Sequence, residues 1–317
     1  MYRQAETLLY PSNVSGRMPN FLIIGAAKSG TTSLWHQLNQ HPQIFMHPTK
    51  QTNFFAIESE TVEFRGPPPF YQNWHAIRTW EDYCSEFSDV TDEIAIGEAC
   101  NSYLYSPGAA NRIKNYLPDV KLIAVLRHPA ERAYSRFLNH RRSGREPITN
   151  FADALSEERT RIENRWWPDF HYLHLGMYHE QLERYFAVFP PEQICVYLYE
   201  DMLTDPLHML RDIFQYLGVK DDFIPNMDVR LSASGLPKSK VVDWVLNKLR
   251  AARPVAERLL QKRQLDYLFR IAANAHAHNL FKPQLTPETR DWLIRQYRED
   301  TLRLQDLIRR DLSAWLR

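Results

Sequence analysis

Cysteine is scarce. Cys84, Cys100 and Cys195 are the only three in 317 residues, and this odd, widely spaced trio excludes a disulfide framework and a Cys-x-x-Cys metal knuckle. Their scarcity suits a reducing compartment. An excess of either charge is also missing. The 39 Lys and Arg residues stand against 38 Asp and Glu, so no global field draws in nucleic acid or an anionic membrane surface. Any anion site must therefore be assembled locally. Long apolar runs are missing as well: the opening stretch MYRQAETLLYPSNVSGRMPN holds none long enough for a secretory leader or a membrane span, and the chain is expected to be cytoplasmic. No internal repeat and no low-complexity segment interrupts it.

What is present is a globular composition, with 44% hydrophobic and 24% charged residues, and a length that can bury a large core. Short β-branched runs alternate with longer helical patterns, which predicts an α/β fold with a central parallel sheet and flanking helices. Strands are predicted at Phe21–Gly25, Ile94–Gly97, Lys121–Leu126 and Gln193–Tyr199. Helices are predicted at Thr31–Gln40, Ala109–Tyr116, Ala130–Arg141, Tyr178–Phe189 and Pro206–Leu217. Pro206, following Thr-Asp, has the form of a first helical position. The last third changes character, with long amphipathic helices predicted over Lys240–Arg263 and Pro287–Ile308. We read one domain over 1–317: an N-terminal extension (1–20), an α/β core (21–220) and a helical C-terminal portion (221–317). The Pro- and aromatic-rich stretch RGPPPFYQNW (65–74) is too short to separate two domains.

One segment carries chemistry. GAAKSGTTS (25–33) joins a predicted strand to a predicted helix in the manner of a phosphate-binding loop. The amides from Ser29 through Gly30, Thr31, Thr32 and Ser33 would face a helix N-terminus, where partial positive charge collects. Lys28 adds a full charge, and the Thr31, Thr32 and Ser33 hydroxyls add donors. The bland alternative is a capped strand–turn–helix junction that binds nothing. A triphosphatase loop would read GxxxxGK[ST], with Ser or Thr on magnesium and an Asp from another strand. Here the lysine precedes the glycine, and the strand KLIAVL runs into Arg127 and His128 with no carboxylate. The loop therefore suits a phosphate ester held by amides and cations without a metal, and a P-loop kinase is the weaker enzymatic alternative.

These residues resemble the PAPS-dependent sulfotransferases, and more closely a bacterial branch related to the heparan sulfate sulfotransferases. KSGTTSL (28–34) is similar to the family's loop for a 5′-phosphosulfate, and RHPAERAYSRF (127–137) to its 3′-phosphate motif. IGEACNSYLYSP (96–107), GMYHEQLERYFAVFPPEQICVYLYEDM (176–202), SGLPKSK (234–240) and the closing stretch 282–316 also match family segments. The resemblance implies 3′-phosphoadenosine 5′-phosphosulfate (PAPS) as donor and its bisphosphate (PAP) as product. It implies in-line transfer of the sulfuryl group to a hydroxyl or amine of a glycan or small molecule, with no metal. It gives Lys28 the leaving oxygen, and Arg127 and Ser135 the 3′-phosphate. Lys238 matches a basic family position, which the resemblance implies closes over the donor. Arg132, Arg136, Arg141 and Arg142 are expected to be solvated or to steer the donor in.

One position departs from the family pattern K-E-x-x-F-F. In TKQTNFFA (49–56), Lys50, Phe54 and Phe55 align, but Gln51 occupies the place of the base. A neutral amide cannot take a proton, and a general base contributes about 10²–10⁴-fold. Three explanations stay open: His47 or Glu98 substitutes as base, the acceptor needs little base help, or the chain is an attenuated or non-catalytic PAPS/PAP-binding variant. We keep Gln51 as an acceptor-positioning residue and Glu98, at a strand end, as an auxiliary polar group. His171, His174 and His179 are read as cleft or surface residues and no metal is expected. Trp74, Trp80, Trp166 and Trp167 either line the acceptor cleft or fill the variable loops.

Overall fold

The computed structural model describes residues 17–57, 64–66, 76–227, 235–251, 265, 271–272, 275 and 278–317. Five parallel strands form its sheet: β1 (Phe21–Gly25), β2 (Ile44–Met46), β3 (Ala95–Ala99), β4 (Lys121–Leu126) and β5 (Ile194–Leu198), in the order β2-β3-β1-β4-β5. Central β1 is apolar at every position because both its faces are covered. Leu22 and Ile24 enter one buried cluster, with Phe54, Phe55 and Tyr103, while Phe21 and Ile23 enter another, with Leu34, Ile213 and Phe214. Each of these β1 side chains is fully buried, and each such burial stabilises by about 1.5–3 kcal/mol. Gly97 of β3 lies beside Phe21 in the ladder. A Cβ there would meet the Phe21 ring at 2.2 Å, so the strand pair can close only on glycine.

The predicted strands β1 and β4 and the helices Ala109–Tyr116, Pro206–Leu217 and Pro287–Ile308 are observed with the predicted bounds. Caps explain the sharp ends. Asp205 accepts from the His208 amide with Pro206 in the first turn, and Gly218 closes the same helix in the left-handed region. Thr286 caps Pro287–Ile308 in the same way. Strand β2 was not predicted: three residues at a sheet edge give too short a pattern to read. The predicted helix Lys240–Arg263 is observed over Lys240–Ala251, and residues 252–263 lie outside the described residues. The C-terminal portion also holds a two-residue antiparallel pair, Leu236–Pro237 with Leu280–Phe281. Among the described residues, no helix is long and apolar enough to cross a membrane.

Candidate functional site

Loops that follow the carboxyl ends of β3, β1 and β4 converge, as expected of ligand sites in open parallel sheets. The backbone stitches them together. Ala26 N donates to Val125 O (2.8 Å), Cys100 N to Ile23 O (3.0 Å) and Gln51 N to Ala99 O (3.0 Å). From β1 the chain turns through Ala26–Gly30 into α1 (Thr31–Leu38). Gly30 makes that turn at φ 93°, and a Cβ on it would stand 3.0 Å from both Met202 Sδ and Tyr199 Cδ2. Only glycine suits both the dihedral and the space. No side chain caps α1. The Ser33 amide donates to Gly30 O at 2.9 Å, and the Thr31 and Thr32 amides are left to solvent or to an anion.

Lys28 sits in this turn, itself in the left-handed region at φ 69°. Burial is the largest cause of its lowered pKa, followed by the positive charges of Arg136, Arg142 and Arg127. Asp169 opposes them, and the amine is brought down to about 7. Arg127 donates to Lys28 O at 3.2 Å, lies over the Tyr199 ring at 4.8 Å from its centroid, and stands 3.9 Å from Glu131. Tyr178 OH donates to Arg127 O at 3.0 Å, fixing the strand end from the other side. Three guanidiniums close enough to depress a lysine make, with that lysine, a local anion site in a chain with almost no net charge.

Ser29, Gly30, Thr31, Thr32, Ser33, Lys28 and Arg127 are thus brought together. Ser135 lies in the next helix, Pro129–Arg142, and is wholly buried. Lys238 is exposed, its amide bonded to Asn279 O at 2.6 Å. Leu236, two residues before it, packs on the buried cluster containing Ala133, Tyr134 and Phe137. Lys238 is therefore carried over the helix that bears Ser135.

The expectation that the arginines of this helix are solvated needs correction. Arg132 is fully buried and donates to Tyr172 O, and Arg136 is nearly buried and pairs with Asp169. Arg141 donates to Glu146 O (2.7 Å) and Pro147 O (3.0 Å). A guanidinium is tolerated inside where fixed acceptors meet its fork, and those acceptors come from residues 146–172, outside the helix that carries the arginines.

Gln51 is exposed at φ 67°, and its carbonyl accepts from Asn53 Nδ2 at 2.9 Å. The two residues proposed to replace it as base are held elsewhere. Glu98 is fully buried, accepting at 2.6 Å from Thr52 Oγ1 and at 2.6 Å from Tyr103 OH, and burial above all raises its pKa. His47 is also buried. Its Nε2 meets Glu86 Oε2 at 2.8 Å, and its Nδ1 lies 2.6 Å from Thr49 O. Both side chains spend their hydrogen bonds on the protein itself.

Other polar and aromatic groups pack. His171 bonds to Tyr105 OH (2.8 Å), with burial bringing it down to about 4, and His174 bonds to Glu158 (2.6 Å). Among the described residues no three His, Cys, Asp or Glu side chains converge on a metal position. Trp80 stacks on Tyr116 at 4.4 Å, Trp167 stacks on Phe64 at 5.9 Å, and Trp166 faces the Arg161 guanidinium at 4.9 Å. Trp74 lies outside the described residues. Sequence reasoning missed Tyr199, which walls Gly30 and stacks on Arg127. Its only trace was its place in the segment ending YLYEDM.

Comparison with known proteins agrees with this geometry. A family model described as "Sulfotransferase family" matches residues 19–223. A crystal structure of a sulfotransferase from Alicyclobacillus acidocaldarius superposes with a TM-score of 0.74 at 32% identity, covering 95% of this chain and 100% of that one. Human bifunctional heparan sulfate N-deacetylase/N-sulfotransferase 3 is 30% identical over 213 residues, 64% of this chain and 22% of that protein. The membrane-associated sulfotransferase kil1 of Dictyostelium discoideum is 33% identical over 120 residues, 38% of this chain and 22% of that protein. The matched regions span about a fifth of these two curated relatives.

Proposed function

Since the chain belongs to the sulfotransferase family, we propose that it transfers the sulfuryl group of PAPS to a hydroxyl or amine of a glycan. The observation that carries this reading is Lys28 in the turn after β1, depressed to about 7 by burial and by Arg136, Arg142 and Arg127. A site with that surplus of positive charge is relieved by a multiply charged anion, and PAPS carries charge at both ends.

In this reading the amides of Gly30, Thr31 and Thr32, with the Thr31, Thr32 and Ser33 hydroxyls, hold the 5′-phosphate. Arg127, flattened on Tyr199, offers its fork to the 3′-phosphate. Ser135, wholly buried in the helix that follows Arg127, and Lys238, carried over that helix, flank that end. The bound donor supplies a sulfuryl group already attached to a phosphate leaving group. Lys28 takes up a proton as the donor arrives and holds charge against the leaving oxygen. Gln51, exposed and fixed through its own backbone, hydrogen-bonds the acceptor.

The glycan class is supported by the human relative, named as an N-sulfotransferase of heparan sulfate. A cytoplasmic setting is proposed with it, in keeping with three free thiols. A binding-only role is the second reading, motivated by Gln51, and family membership favours turnover over it. Calorimetric titration with adenosine 3′,5′-bisphosphate in the presence of EDTA tests the donor: saturable binding is expected, and its absence overturns the reading. Sulfate transfer from PAPS to a de-N-sulfated heparan-type oligosaccharide then separates enzyme from binder.

A further inference from the structure

Sequence reasoning gives Lys50 no role beyond alignment, yet it reaches the donor turn. Its half-buried ammonium donates to Thr32 Oγ1 at 2.8 Å, in the first turn of α1. Among the described residues no carboxylate pairs with it, and burial brings its pKa down to about 8. A cation withdrawn from water onto a hydroxyl is poorly compensated. It becomes well compensated when an anion arrives.

The sheet order says which part of the anion that is. Gln51 is tied to Ala99 at the end of β3, Lys28 follows β1, and Arg127 follows β4, while the strands run β3-β1-β4 across the sheet. With the 3′-phosphate at Arg127 and the 5′-phosphate over the β1 turn, the substituent on the 5′-phosphate extends toward β3. Lys50 and Gln51 occupy that side. An oxygen that accepts from the Thr32 hydroxyl also lies within a side-chain rotation of the Lys50 ammonium.

We propose that Lys50 is a second catalytic lysine, turning from Thr32 to bind the sulfuryl oxygens while Lys28 serves the leaving oxygen. This rests on the donor reading above. In the transfer, a lone pair of the acceptor forms the bond to sulfur as the bond from sulfur to the 5′-phosphate oxygen breaks, its electrons going to that oxygen. The acceptor's proton passes to water at the exposed rim beside Gln51. Lys50 keeps its own proton and contributes charge where the sulfuryl oxygens spread it. Its departure frees Thr32 Oγ1 to act solely toward the phosphate.

The test compares two ligands that differ only by the sulfuryl group, adenosine 3′,5′-bisphosphate and PAPS, on the full chain without acceptor. Lys50→Met should weaken PAPS about tenfold or more while changing bisphosphate affinity less than threefold, and should lower kcat about 10²-fold, the size of a lost charge-assisted hydrogen bond. Lys50→Arg, which keeps the charge, should retain most of the preference for PAPS and guards against a folding defect in the Met variant. Equal weakening of both ligands, or unchanged transfer, overturns the role. If the unaltered protein binds neither ligand, the donor reading itself falls and the role of Lys50 with it.

Discussion

The Thr52 hydroxyl donates to the buried carboxylate of Glu98 at 2.6 Å, and this bond anchors the residue immediately after Gln51. Tyr103 OH donates to the other carboxylate oxygen at 2.6 Å and lies 2.8 Å from Thr52 Oγ1. Three groups from two parts of the chain thus close a buried triangle beside the exposed Gln51. Glu98 thereby holds Thr52, the residue next to Gln51, in place.

Glu98→Ala should therefore behave as a stability mutation first. It strands two buried hydroxyls, a loss of about 2–4 kcal/mol, while Glu98→Gln keeps an acceptor and should cost less. Urea unfolding monitored by circular dichroism gives the size. A Glu98→Gln protein that folds normally yet loses all transfer would instead make the carboxylate a catalytic base.

Donor affinity should depend on pH through Lys28. Its pKa is lowered to about 7 in the free protein, and a bound phosphate raises it again. Below pH 7 the amine is already charged and binding needs no proton; above pH 7 binding must take one up. Affinity for adenosine 3′,5′-bisphosphate should then fall as pH rises from 7 to 9, by up to about tenfold per unit. Calorimetry in buffers of different ionisation heat should register the proton uptake. In folding, the sign is opposite to that of a paired lysine. The native state disfavours the charged amine, so this group's destabilising effect is fullest below pH 7 and is relieved as pH rises from 7 toward the unfolded value of 10.5.

A second buried unit holds the far side of the Pro129–Arg142 helix. Arg161 donates to both oxygens of Glu146, at 2.7 and 2.9 Å, and Tyr172 OH donates to Glu146 at 2.7 Å. The Arg161 guanidinium lies against the Trp166, Phe170 and Tyr172 rings. Arg161→Met leaves the carboxylate buried and unpaired and should cost about 3–5 kcal/mol. Because Arg136 and Asp169 are set by the same packing, bisphosphate binding should weaken with it. Thermal unfolding with and without ligand separates the two effects.

How far the sequence could be read follows from where each partner comes from. Strands β1 and β4 were legible because burial on both faces leaves continuous apolar runs between turn residues. The turn after β1 was legible because Lys28, Gly30 and the hydroxyls lie within six positions. Strand β2 was not, since Ile44–Met46 is too short for a period to show. The pairing of Glu98 with Thr52, 46 residues apart, and of Arg136 with Asp169, 33 apart, leaves no local trace. Arginines without a visible partner read as solvated, and strand-end carboxylates read as catalytic. The first inference fails where tertiary packing supplies the partner, as it does for Arg132 and Arg136.

Position 51 gives the sharpest test of the chemistry. Gln51 is exposed, lies outside helix and strand, and makes its Ala99 contact through the backbone, so Gln51→Glu should fold with the stability of the parent. Its positive φ of 67° is already borne by a non-glycine residue and is unchanged by the swap. A carboxylate there can take the acceptor's proton, which an amide cannot. With a hydroxyl acceptor, kcat should rise, by as much as about 10²-fold, and gain an ascending pH limb near the usual carboxylate range. With an acceptor amine that is already unprotonated, the gain should be smaller, because nitrogen attacks before it loses its proton. Comparing Gln51→Glu with the parent on hydroxyl and amine acceptors, at matched PAPS saturation, therefore reports both whether position 51 is the base site and which nucleophile the parent prefers. An unchanged kcat on both acceptors would remove position 51 from the proton path and leave water as the carrier.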